Sequence, residues 1–126
     1  MTFTHGQFNW NELMTRDVAG MKKFYAGALG WKYEKFPGSM KPPYWIIRVD
    51  GKGIGGIFDI SDKHFKGMKE QWVTYIAVDD VDKRVQKALR LGAKVMRPAL
   101  DIPNVGRIVF LTQPDGAMVA WMTPRM

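Results

Sequence analysis

The chain repeats itself, and that repeat limits the folds open to it more than any other feature. Residues Trp10–Val18 (WNELMTRDV) lie over Val73–Val81 (VTYIAVDDV), and each segment reads as a short strand running into a capped helix. After Asp17 the apolar residues Val18, Met21, Phe24, Tyr25, Ala28 and Leu29 form a helical stripe, and Gly30 stands where a left-handed C-terminal cap belongs. After Asp80 the same grammar returns in Val81, Val85, Ala88 and Leu89, closed by Gly92.

Three extended segments follow each helix. In the first half they are residues 31–36, 44–49 and 54–60, with Asp50-Gly51-Lys52-Gly53 as the turn between the last two. In the second half they are residues 94–97, 107–112 and 117–122, with Gln113-Pro114-Asp115-Gly116 suited to a type I turn. The expected order is βαβββ twice over: a half-repeat at 8–60, a polar, lysine-rich linker at 61–71 and a half-repeat at 72–123. Modules this small bury too little alone, so the two pair within one α+β domain. The 126 residues, 46% of them apolar, suit a single domain.

Composition narrows the chemistry. With no cysteine, thiolate metal sites, cysteine nucleophiles and disulfides are excluded. No apolar run approaches the roughly 18–20 residues of a membrane span, which points to a cytoplasmic protein with no membrane partner. The net charge of +7 favours anionic or neutral partners over cations, but the Lys and Arg residues are scattered from Arg16 to Arg125 and form no basic tract. Nucleic acid is therefore not the expected partner.

The order of elements, with Asp17-Val18, Phe24-Tyr25, Leu29-Gly30-Trp31 and Pro114-Asp115-Gly116, resembles the glyoxalase/bleomycin-resistance/dioxygenase (vicinal oxygen chelate) superfamily. Its recurring words are an Asp-Leu/Val helix start, Phe-Tyr, Leu-Gly-Phe/Trp and Asp-Pro-Asp-Gly. Asp101–Arg107 (DIPNVGR) further resembles a glyoxalase-like branch rich in uncharacterised members. The resemblance covers nearly the whole chain and implies two βαβββ modules facing each other as curved mixed sheets around a cavity, with homodimers common.

Metal-dependent members of the superfamily carry four ligands, typically His or Gln, Glu, His and Glu, holding an ion that acts as a Lewis acid. By resemblance those positions fall on Trp10, Val73 and Ala120, with only Asp59 offered by the remaining stretch. Trp, Val and Ala have no donor for a divalent cation. His5 precedes the first strand and His64 lies in the linker; each reads as a solvated surface histidine. The expectation is a site with neither metal nor cofactor.

Strand alternation puts Phe8, Trp10, Glu12 and Met14 on one face, which the repeat makes the cavity face, with Val73, Tyr75 and Ala77 facing inward by symmetry. Met118, Ala120 and Met122 join them from the last strand. Glu12, beside Trp10 and Tyr75 in apolar surroundings, is the candidate general base or acid, or else a carboxylate paired with a nearby Arg or Lys. Arg107 could hold a ligand carboxylate or phosphate at the rim, or pair with Asp101. Trp31, Trp72 and Trp121 read as core or interface, and Trp45 is left undecided.

The leading reading is a metal-independent protein that binds a small neutral or anionic organic molecule through Trp10, Tyr75, Arg107 and Met118, with Glu12 placed for chemistry of unnamed type. The alternatives are a metal-dependent lyase or dioxygenase with displaced ligands, drawing on Glu12, Asp59 and a histidine, and a basic nucleic-acid or protein interaction module.

Overall fold

A computed structural model describes residues 3–38 and 41–125. Two α-helices and eight strands are formed among them: β1 (Phe8–Thr15), α1 (Val18–Leu29), β2 (Lys32–Lys35), β3 (Trp45–Val49), β4 (Lys52–Asp59), β5 (Gln71–Ala77), α2 (Val81–Arg90), β6 (Lys94–Ile102), β7 (Gly106–Thr112) and β8 (Met118–Pro124). The chain divides into two units. One is Trp10–Trp72, and the other joins the N-terminal segment through Asn9 to the chain from Val73 onward. The stretch between β4 and β5 goes with the first unit and carries a single 3-10 turn, Lys63–Phe65.

The first unit is a mixed four-stranded sheet in the order β2-β3-β4-β1, with β1 and β4 parallel and the other pairs antiparallel. Parallel pairing needs a crossover, which α1 begins. The Asp17 carboxylate accepts from the Gly20 amide at 3.0 Å to start α1, and Gly30 ends it at φ 77°. Of the predicted apolar stripe, Val18, Met21 and Tyr25 pack on a core of Leu13, Ile47 and Ile57, together with Trp31, Tyr33 and Trp45. Phe24 and Leu29, expected in the same stripe, are more than half exposed. Trp45 thus belongs to the helix-facing side, where the Lys22 ammonium stands 3.1 Å from its ring centroid.

The second unit repeats this plan in the order β5-β8-β7-β6, with β5 and β8 parallel. Asp80 caps α2 through the Lys83 amide, and Val81, Val85 and Ala88 pack on Val109, Leu111 and Val119 with Trp121 alongside. Each fully buried aliphatic side chain in these cores contributes about 1.5–3 kcal/mol. The N-terminal segment adds to this unit: Gly6 donates to the Ala77 carbonyl at 2.7 Å, and Ala77 donates to Gln7 at 2.8 Å.

One strand was expected too short. Residues 94–97 read as the extended segment, yet β6 continues through Pro98 to Ile102. It is an edge strand, with register shifts between Val95 and Arg97 and between Arg97 and Leu100, so the ladder absorbs a residue that has no N–H. The turn at Gln113–Gly116 closes as expected, with the Gly116 amide donating to the Gln113 carbonyl at 2.9 Å.

Candidate functional site: a buried carboxylate beneath an aromatic face

Register decides which side chains share the face of each sheet that points away from its helix. In the first unit Glu12 stands opposite Gly56, Met14 opposite Phe58, and Ile46 opposite Gly56 from the other side. Leu13, Ile57 and Ile47, one residue out of phase, face α1. Glu12 is 4% exposed and Met14 1%, while Trp10 and Phe58 are partly buried. Trp10, Glu12 and Met14 thus alternate along β1 as expected, whereas Phe8, assigned to the same face, is 68% exposed.

The partner of Glu12 within this unit is Tyr44, which sequence reasoning missed. The Trp10 indole donates to the Tyr44 hydroxyl at 2.9 Å. An indole N–H can only donate, so the hydroxyl accepts there and its own proton is directed to Glu12, with which it also hydrogen-bonds. Burial pushes the Tyr44 hydroxyl well above its ordinary pKa; the Glu12 charge and the Glu12 hydrogen bond add to the shift, and the Trp10 hydrogen bond opposes it. The phenol therefore stays protonated. Within this unit Glu12 is thus hydrogen-bonded to a phenol.

Glycine makes the arrangement possible. A Cβ placed on Gly56 would lie 1.8 Å from the Tyr44 hydroxyl oxygen, so the hydroxyl occupies the space that any other residue at position 56 would fill. Gly55 is constrained differently: its Cβ would meet the Asn11 carbonyl oxygen at 2.6 Å, a backbone atom that cannot step aside. Phe36 and Phe58 flank the Tyr44 ring at 6.1 and 6.4 Å between centroids, and Phe65 lies edge-on to Phe58 at 5.4 Å. The Arg48 guanidinium, which like Trp10 comes within 4 Å of the position a Cβ on Gly53 would take, is engaged by the Glu34 carboxylate and the Gly51 carbonyl.

In the second unit Tyr75, Ala120 and Phe110 lie across one another in register, with Met118 opposite Thr112 and Met122 opposite Ile108 on the same face. Tyr75 is 4% exposed and meets Phe110 edge-on at 6.0 Å; Met118 is partly buried. Arg107 is one residue out of phase with Ile108 and so stands on the opposite, α2-facing side. There its guanidinium binds Asp82 of α2 and Asp101 of β6, each at 3.2 Å. The structure therefore groups Met118 with Tyr75 and sets Arg107 apart from both, paired with the Asp101 partner that the sequence offered and with a second carboxylate.

The remaining polar candidates serve local structure. Asp59 accepts from the Ser61 amide at 2.8 Å, His64 pairs with Asp62, and His5 Nδ1 accepts from the Asp79 amide at 3.0 Å. Arg84 holds the Asp79 carboxylate well below the usual range. The positions that correspond by resemblance to metal ligands, Trp10, Val73 and Ala120, bear side chains without a donor for a cation, so this residue set does not fit a divalent ion. Among the described residues, no three His, Cys, Asp or Glu side chains gather at one point. An open hollow of about 440 Å³ also lies on the first unit, lined by Arg16, Lys63, Lys66 and Met68 among others. Arg16 is tied there to Glu70 and to the Phe65 carbonyl. No helix among the described residues is long and apolar enough to cross a membrane.

Comparison with known proteins agrees with this architecture. The family model of the Glyoxalase/Bleomycin resistance protein/Dioxygenase superfamily matches residues 7–120. A Mycobacterium tuberculosis protein named "Putative glyoxylase CFP32" is 38% identical over 128 residues, covering 98% of this chain and 48% of its own length. The Streptomyces peucetius "Anthracycline biosynthesis protein DnrV" is 28% identical over 131 residues, 94% of this chain and 47% of its own. The chain thus spans about half the length of these relatives. Among solved structures, a hypothetical protein from Bacillus halodurans superposes with TM-score 0.70 at 11% identity, covering 98% of this chain and 97% of that one. A Streptomyces coelicolor methylmalonyl-CoA epimerase in complex with 2-nitronate-propionyl-CoA follows at TM-score 0.67 and 14% identity, covering 98% and 100%. At such identities the likeness concerns the fold alone. With two βαβββ modules, the family's words in order and a model match across nearly its whole length, the chain belongs to the glyoxalase/bleomycin resistance protein/dioxygenase superfamily.

Proposed function

We propose that the chain binds a small organic molecule on the aromatic face of its first module, without a metal ion, and that Glu12 is the group that acts on or orients the bound molecule. The observation that carries this reading is a carboxylate 4% exposed, hydrogen-bonded to a phenol that is itself fixed by an indole, on a face otherwise apolar and aromatic. Burying a carboxylate costs desolvation that an apolar residue in its place would not, so its presence there supports a role beyond packing. Ligand sites of this kind combine apolar walls with a few placed polar groups. Tyr75 and Met118 complete the reading from the equivalent face of the second module, while Arg107, engaged by two carboxylates, contributes to ligand binding only by releasing one of them.

Homodimerisation and a cytoplasmic setting belong to the same reading, by analogy with the family and from the absence of any span-length apolar run in the sequence. The test is metal analysis of dialysed protein beside a thermal-shift screen of divalent ions and small aromatic and acidic compounds. An organic compound that stabilises metal-free protein, and no longer does so in Glu12→Gln or Trp10→Ala, supports the proposal. Near-stoichiometric retained metal, or stabilisation indifferent to both substitutions, overturns it.

A further inference from the structure

The open hollow of about 440 Å³ on the first unit is lined by more cations than its own carboxylates engage. Arg16 is committed to Glu70 and to the Phe65 carbonyl, and Asp62 is held by the amide and ring of His64. Lys63 and Lys66, at either end of one 3-10 turn, are exposed, and neither forms an ion pair among the described residues. The hollow borders the aromatic face, and Phe65 belongs to both: its ring lies edge-on to Phe58 at 5.4 Å, and its carbonyl accepts from Arg16 at 2.9 Å. Phe58 stands opposite Met14, and Arg16 follows Met14 by two residues, so the hollow begins roughly 7 Å along the strand direction from Phe58.

We propose that this hollow is an anion subsite, and that the molecule bound on the aromatic face carries a phosphate, or a group of like charge, which Lys63 and Lys66 hold there. The inference rests on the reading that the aromatic face is the ligand site. Two neighbouring ammonium groups repel each other, and a dianion beside both relieves that repulsion. Lysine suits the task, because an ammonium is a point-charge partner for phosphate and needs no fixed fork geometry. The position also keeps the ligand's charge away from the buried carboxylate. Glu12 and Arg16 are four residues apart on one strand direction, roughly 13 Å, which exceeds the screening length of about 8–10 Å at ordinary salt. The net charge of +7 draws such a ligand toward the protein, and the two lysines give it a place to dock.

The test compares 3-phenylpropyl phosphate, whose tether suits the gap between face and hollow, with the uncharged 3-phenylpropan-1-ol, both titrated by calorimetry and followed by amide shifts. Wild type should bind the phosphate about tenfold more tightly at low salt, as charge-assisted hydrogen bonds imply, and the advantage should shrink as salt is raised. The amides of Lys63–Gly67 should respond to the phosphate and not to the alcohol. Lys63→Gln/Lys66→Gln should erase the advantage and leave alcohol binding unchanged. Lys83→Gln/Lys87→Gln, which removes the same charge from exposed positions of α2, should preserve it. If wild type binds both compounds alike, if the first double variant keeps the advantage, or if both variants lose it equally, the inference falls; the face then stands on alcohol binding that Trp10→Ala removes. Binding of neither compound overturns the face itself, and the inference with it.

Discussion

Gly56→Ala is the most informative single change, because one methyl group tests the whole polar arrangement. The added carbon would sit 1.8 Å from the Tyr44 oxygen and 2.2 Å from the ring carbon that bears it, so the ring must leave. Leaving breaks the Tyr44 hydrogen bond to the Glu12 carboxylate, a loss of about 1.5–3 kcal/mol, and strained repacking adds about 1–3 kcal/mol. Alanine restricts the unfolded chain and returns about 0.4–1 kcal/mol. The net destabilisation is about 1.5–5.5 kcal/mol, or a fall in Tm of roughly 6–22 °C for a domain of this size. Urea unfolding followed by tryptophan fluorescence reads it directly. The decisive comparison is a double-mutant cycle: in a Tyr44→Ala background the methyl has room, and Gly56→Ala should cost under about 1 kcal/mol. An equal cost in both backgrounds would refute the claim that position 56 is glycine to admit Tyr44.

Other consequences can be read in the same assays. Gly55→Ala should destabilise by about 2 kcal/mol or more in either background, since its methyl meets the Asn11 backbone carbonyl and no side chain can relieve it. Gly27→Ala, on the exposed side of α1 with nothing within 4 Å, should raise stability by about 1 kcal/mol by helix propensity. Asp17→Ala removes the α1 cap and should cost about 1 kcal/mol, measurable as a lower urea midpoint. Tyr44 has a folded-state pKa raised above its ordinary value of 10.0, so its protonated form stabilises the fold below that pH, and the contribution fades as the unfolded phenol ionises above it. Wild-type stability should therefore fall between roughly pH 10 and 12, and Tyr44→Phe should flatten that fall.

The parts of this molecule legible in its sequence are those set by local chemistry. The caps at Asp17, Asp80 and Gly30, the turn at Gln113–Gly116 and the alternation of β1 all follow from short-range rules, and together they revealed the doubled βαβββ plan. What escaped is set by register between strands distant in sequence. Tyr44 meets Trp10 across 34 positions, and only because β4 carries a glycine at the crossing point. Paired glycines inside an otherwise apolar strand were the available signal, since such glycines mark close approach by a neighbour. Arg107 shows the other limit: its neighbourhood in sequence suggested a rim, but one residue of phase puts it on the helix side, beside Asp82. Trp45 was undecidable for the same reason, and its alignment opposite Ile57 resolves it to the core beneath α1.

The most direct test of the central claim is to observe which nuclei sense a ligand. In a nitrogen-15 spectrum, the five tryptophan indoles give separate signals, and that of Trp10 reports the hydrogen bond to Tyr44. Titrating a small organic compound that stabilises the metal-free protein should move the Trp10 indole signal and the Glu12 and Gly56 amides together, saturably, while the amides of Lys63–Gly67 stay still. Shifts confined to the hollow around Lys63, Lys66 and Met68, with the Trp10 indole unmoved, would contradict the account and place ligand binding elsewhere on the first module.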